Sequence, residues 1–190
     1  MGSDKMVQSL KIGISGLFGV DKTESLKKII EMLNEEGISV GGLLTEPIME
    51  DNRIVGYQVM NWRTKEKAIL AHLHLDSSVN IDGYNVDIEN LEEVGVKAIE
   101  DAALRDDVIL VDEAGKMHVQ SERFNEVVKA VFEVDKPLIL TFHKKSRNKL
   151  LQDVRKRDDV RIFELTEINK GILPHKVVEL IKDELKGGYS

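Results

Sequence analysis

The strongest constraint on this chain is an alternation. Short apolar runs, too brief for helices, occur as "LKIGISG" from Leu10, "DDVILV" from Asp106, "KPLILTF" from Lys136 and "DVRIFEL" from Asp159. Runs of this kind read as strands buried on both faces. Between them the period changes, with apolar residues recurring every three or four positions. Leu26, Ile29, Ile30 and Leu33 stripe a helix from Lys22 to Glu36, and Gly37 closes it as a C-cap would. "NLEEVGVKAIEDAAL" predicts a second helix, with Asn90 as its N-cap. Further helices are expected over Ser121–Val134, Asn148–Arg157 and Pro174–Leu185. Strands joined through helices imply right-handed crossovers and a mainly parallel sheet covered on both faces, hence a three-layer α/β architecture. Residues from about 40 to 85 break that rhythm. Their β-rich runs are separated by the turn-like "EDN" and "RTKEK", which predicts hairpins and an antiparallel excursion.

The chain is long enough for one domain with a sizeable core, expected over residues 7–186, with 1–6 a flexible leader and 187–190 a frayed tail. No apolar run approaches a membrane span and no signal-like segment is recognisable, so a cytoplasmic location is expected. A net charge of −7 argues against nucleic acid as the main partner. The absence of cysteine excludes disulfides and thiolate metal centres.

The chemistry is concentrated in two stretches. "GLFGVDKTE" lies between the first strand and the first helix, and it approaches the pattern G-x-x-x-x-G-K-[ST]. Gly16, Leu17, Phe18, Gly19, Val20, Asp21, Lys22, Thr23 and Glu24 are the candidate nucleotide-binding residues. In such a loop the amides of the first helical turn surround phosphates, the lysine reaches the β- and γ-phosphates, and the hydroxyl meets Mg²⁺. Gly16, Lys22 and Thr23 fit in type and spacing, whereas Asp21 stands where the second glycine is expected. A carboxylate about 4 Å from a phosphate repels it by roughly 4 kcal/mol at an effective dielectric near 20. Asp21 has three courses open: to face the phosphates, to be strained at positive φ, or to turn outward at little cost. The second stretch is "VILVDE", a buried strand ending in two acids. Asp112 is positioned to hold Mg²⁺, usually through a water, and Glu113 to orient or deprotonate an attacking water. Thr23 and Asp112 are thus the metal candidates, and Glu113 and Lys22 the catalytic ones.

With both motifs in order, the sequence resembles the P-loop nucleoside triphosphatases of the thermophile type, related to the cancer-related nucleoside-triphosphatase. The likeness runs from about Leu10 to Leu185 and includes "EEGISVGGLLTE", "RIVGYQV", "YNVDIENLEEVGVKAIEDA", "VILVDEAGKM" and "VRIFELTEIN". It implies a RecA- or kinase-like core with an inserted β-region, and slow, base-tolerant, Mg²⁺-dependent hydrolysis of nucleoside triphosphates, ATP and GTP among them. Gly16, Gly19, Lys22, Thr23, Asp112, Glu113 and Lys116 are the positions that carry over. The family's "GVGKT" reads "GVDKT" here, its "DEIGKMEL" reads "DEAGKMHV", and a basic residue expected before "YxVN" is missing from "VNIDGYNV". Two other readings stay open: a small-molecule or nucleotide kinase on the same scaffold, and a catalytically impaired nucleotide-binding variant.

Other features weigh less. His143 and Lys144, in "HKKSRN", follow a predicted parallel strand at the edge where α/β ligands bind, so either is a further candidate for the γ-phosphate. The alternative is a solvated basic loop. His72 and His74 share a strand face, but two histidines without a distant third ligand read as surface residues. Tyr57 and Trp62 read as packing, with base stacking as the alternative. No protein partner is predicted.

Overall fold

The structure, a computed structural model, describes residues 9–17 and 20–187. The expected leader, most of the tail, Phe18 and Gly19 lie outside the described residues. Nine strands form one sheet in the order β5-β6-β4-β3-β2-β7-β8-β1-β9. Five of them, β2 (Val40–Glu50), β7 (Val108–Val111), β8 (Leu138–His143), β1 (Lys11–Gly16) and β9 (Val160–Leu165), are joined by parallel pairing. Beyond β2 the sheet continues antiparallel through β3 (Arg53–Asn61), β4 (Lys67–His72), β6 (Tyr84–Val86) and β5 (Asn80–Ile81). This is the α/β architecture expected, with its antiparallel excursion.

Side chains that alternate along the central strands separate the two cores. On one face Ile12, Ile14, Val108, Leu110 and Ile139 pack under α1 (Lys22–Glu35) and α6 (Leu173–Gly187). On the other, Ile109, Val111, Leu138 and Leu140 pack under α3 (Lys97–Arg105), α4 (Glu122–Val131) and α5 (Lys149–Arg155). Lys11 is buried at the start of β1, and its ammonium donates to the Val134 and Lys136 carbonyls at 2.6 and 2.7 Å. Burial pushes its pKa down from the ordinary lysine value, against which nearby acids pull.

β2 belongs to both halves. Val40–Leu43 pairs with β7, while Leu43–Glu50 pairs with β3, so the β-rich stretch is continuous with the parallel sheet. Gly42 makes the crossing at φ +129, and a Cβ there would stand 2.1 Å from the Leu110 carbonyl oxygen. The β2–β3 turn places Asp51 and Asn52 at φ 48 and 61, the left-handed pair that a two-residue hairpin demands. Arg63, in the β3–β4 turn, ties this half back to the core through both oxygens of the buried Asp106, at 2.5 and 3.1 Å.

One expected cap moves. Asn90 does not begin its helix; Asp87 does, accepting the Asn90 amide at 2.9 Å ahead of α2 (Ile88–Asn90). The Asn90 side chain instead donates to the Ile69 carbonyl, and α2 runs through a π-helical stretch, Leu91–Val96, into α3. Ser121 caps α4, accepting from the Phe124 amide. No helix among the described residues is long and apolar enough to cross a membrane.

Candidate active site

The site forms where β1 and β7 deliver their carboxyl ends next to the start of α1. Gly16 ends β1, and Lys22 is the first residue of α1, with its aliphatic stem 3.3 Å from where a Cβ on Gly16 would be. Leu17 is exposed, and Val20 donates its amide to the Leu17 carbonyl. Glu24 is exposed and lies 3.8 Å from Lys28.

Asp21 avoids the second course but does not turn outward. It sits at φ −78, free of positive-φ strain, and its carboxylate caps α1 by accepting the Glu24 amide at 2.8 Å. That is ordinary N-cap chemistry and favourable for the helix. It also sets an anion at the helix terminus where phosphate oxygens would otherwise gather.

Asp112 follows β7 and is buried between two hydroxyls. Thr23 donates to one carboxylate oxygen at 2.7 Å and Thr141, from β8, to the other at 2.5 Å. Burial pushes the Asp112 pKa up, while the Thr141, Thr23 and Thr45 hydrogen bonds and the Lys22 charge pull it down. The Thr45 carbonyl lies 3.4 Å from the Thr23 hydroxyl. A hard dication suits these groups, because they are oxygens alone, a carboxylate against a hydroxyl. Among the described residues no group of three His, Cys, Asp or Glu could hold a metal ion, so Mg²⁺ here would draw its remaining ligands from phosphate and water.

Glu113 is half-buried beside this pair. Its carboxyl is pushed up to about 7, chiefly by burial, then by the Asp112 charge, with Lys22 opposing. A base poised there is matched to neutral pH.

The remaining candidates diverge. His143 lines a cavity with Glu113, and burial followed by the Lys22 charge pushes its pKa down. Lys116 lines the same cavity, with its ammonium 3.2 Å from Asp82. Lys144 donates its amide to the Gly16 carbonyl at 2.9 Å, but its ammonium pairs with Glu164 at 2.7 Å. His72 and His74 are close, ring centroids 5.7 Å apart. Tyr57 meets Tyr84 edge to face, and Trp62 packs against the α1 core.

Sequence reasoning missed Thr141, Thr45 and His118. Thr141 had a signal, a hydroxyl alone within the apolar "LILTF". His118 is buried, and burial pushes its pKa down to about 3, so it is neutral. Its Nε2 lies 2.9 Å from the Thr45 hydroxyl.

Comparison with known proteins bears on this geometry. A family model described as NTPase matches residues 11–178. A nucleoside-triphosphatase THEP1 from Picrophilus torridus is 40% identical over 175 residues, covering 92% of this chain and 97% of the relative. One from Thermoplasma volcanium is 38% identical over 176 residues, covering 93% and 99%. Among solved structures, THEP1 from the hyperthermophile Aquifex aeolicus superposes with a TM-score of 0.81 at 25% identity, covering 90% of this chain and 99% of that one. A human cancer-related nucleoside triphosphatase shares the fold, with a TM-score of 0.77 at 24% identity over 93% of this chain and 98% of its own.

Proposed function

The chain belongs to the NTPase family, and from that premise we propose that it hydrolyses nucleoside triphosphates to the diphosphate and phosphate at the junction of β1, β7 and α1, with Mg²⁺ as cofactor. The observation that carries the site assignment is the buried Asp112 carboxylate held between the Thr23 and Thr141 hydroxyls, with Glu113 next in sequence.

The triphosphate lies along residues 16–24, its oxygens against the first-turn amides of α1. Mg²⁺, when bound, neutralises charge on the β- and γ-phosphate oxygens. Thr23 and Asp112 would hold that ion. Lys22 places its ammonium on the β- and γ-phosphates and steadies the charge that moves to the leaving oxygen. Glu113 accepts a hydrogen bond from the attacking water and takes its proton as the oxygen closes on phosphorus. Asp21 competes with phosphate for the Glu24 amide, so nucleotide entry requires that carboxylate to swing out or share its donor.

The test is Glu113→Gln. Phosphate release is expected to drop by about 10²–10⁴, while calorimetric binding of a non-hydrolysable triphosphate with Mg²⁺ persists. Unchanged turnover would sink the assignment of Glu113.

A further inference from the structure

Hydrolysis needs room for one water beside the γ-phosphate, yet Glu113 opens onto a cavity of about 550 Å³. That volume falls among sites that enclose small organic molecules. The apolar part of its wall is supplied largely by the antiparallel half: Ile54 and Tyr57 of β3, Leu70 of β4, Ile81 and Tyr84 of the β5–β6 hairpin. The two tyrosine rings stand 5.4 Å apart at 69°, and the Tyr84 hydroxyl donates to the Ile54 carbonyl at 3.2 Å, which fixes that ring. Apolar walls with a fixed aromatic pair suit a flat ring. The loop after β9 contributes nothing to the lining.

Polar groups gather at the Glu113 end. His118 lines the cavity there, and its Nδ1 is buried without a hydrogen-bond partner. A buried ring nitrogen left unpaired is costly, so this one points to a guest that pairs with it. Gly115 keeps the approach open. A Cβ on it would stand 2.7 Å from Glu113 Oε1 and 3.1 Å from His118 Nδ1, filling the gap between them. Lys116, paired with Asp82, and Lys145 also line the cavity.

We propose that this cavity is an acceptor site, which takes a small flat-ring molecule bearing a primary hydroxyl and receives on it the γ-phosphoryl group of the bound nucleoside triphosphate in place of water. The inference rests on the triphosphate lying along residues 16–24 with its γ-phosphate toward Glu113. The acceptor oxygen forms a new bond to the γ-phosphorus as the bond from that phosphorus to the β–γ bridging oxygen breaks. The hydroxyl proton passes to Glu113, and the bridging oxygen leaves with the electron pair as part of the nucleoside diphosphate. The products are a phosphate monoester and the diphosphate. His118 Nδ1 pairs with a polar atom of the acceptor.

The experiment incubates the full chain with Mg²⁺ and γ-labelled ATP, offering benzyl alcohol as the ring-bearing probe and methanol as the ringless one. Benzyl phosphate is expected to exceed methyl phosphate by about tenfold or more at equal concentration, because only the ring gains from burial. Ile81→Trp, which fills the cavity, is expected to lower the ratio of benzyl ester to inorganic phosphate by a similar factor. With a non-hydrolysable triphosphate already bound, benzyl alcohol should shift the methyl resonances of Ile54, Ile81 and Met117 saturably. Equal yields from the two alcohols, an unaltered ratio in Ile81→Trp, or binding without ester would each overturn the proposal. So would expulsion of benzyl alcohol from those methyls by the triphosphate analogue, since the cavity would then belong to the nucleobase. Failure of the hydrolase reading has a different signature: no Mg²⁺-dependent phosphate release when no alcohol is present.

Discussion

In the parallel half of the sheet, the functional groups sit at the ends of buried strands and next to each other in sequence: Gly16 to Thr23 after β1, Asp112 and Glu113 after β7. In the antiparallel half, Ile54, Tyr57, Leu70, Ile81 and Tyr84 come from four strands, and none is adjacent to another. The first arrangement concentrates charge, and its groups are buried carboxylates, hydroxyls and a lysine. The second spreads apolar surface, in which the Tyr84 hydroxyl donates to the Ile54 main-chain carbonyl. The groups proposed for transfer chemistry thus lie on one side of β2, while the other side would shape what comes near them.

The sharpest way to break this division is at Glu113. Because its carboxyl is raised to about 7, turnover should climb as pH rises through that value, and Glu113→Gln should remove the climb along with about 10²–10⁴ of the rate. The same group has an opposite signature in stability without nucleotide. Its pKa is higher folded than unfolded, so the stability it lends is complete below the ordinary value of 4.5 and is lost as pH rises through about 7. Denaturant midpoints measured between pH 5 and 8 should show that decline, flattened in the Gln variant.

Next in size is the tie between halves. Arg63→Ala leaves the buried Asp106 carboxylate without its cation, and a loss of about 2 kcal/mol is expected in urea unfolding, reduced from a fully buried pair because Arg63 is itself partly exposed. If stability is unchanged, the β2 ladder and the shared apolar core hold the two halves without this tie. Asp21→Gly is expected to tighten triphosphate binding by about tenfold, less than an unrelieved carboxylate would impose, since Asp21 is exposed and already hydrogen-bonded. Calorimetry on both chains measures it, and weaker binding in the Gly variant would mean that the cap is needed to form the loop. The smallest effect belongs to the antiparallel half. Tyr84→Phe deletes one hydrogen bond and should cost about 1 kcal/mol of stability with turnover in water preserved.

The same contrast explains what the sequence made legible. The α1 stripe, the strand ending in Asp112 and Glu113, and the alternation that sets the fold are local patterns, and each reads from a dozen residues. Thr141 stands out as a lone hydroxyl in its apolar run, but its partner becomes visible only when β8 is known to lie beside β7, because the register that pairs Val111 with Leu140 is what brings the next residue of each strand together. Thr45 and His118 meet across 73 positions of chain, a contact no spacing rule contains. Asn90 misled because asparagine ahead of an apolar run is a fair cap, but Asp87 three residues earlier competes for the same role and wins by accepting Asn90's own amide. The sequence leaves the conformation of Asp21 undetermined because repulsion, strain and an outward turn are all compatible with one letter, and the cap it makes is not among them.

Thr45 has a consequence for how the two sites communicate. Its main chain touches Thr23 and Asp112, and its hydroxyl holds His118, so together with Glu113 it forms a party wall between the nucleotide site and the cavity. Occupants on either side therefore negotiate through the same few hydrogen bonds. Whatever factor one guest imposes on the other's affinity must be returned in full when the order of arrival is reversed, and Thr45→Val is the substitution expected to make the two guests indifferent to one another.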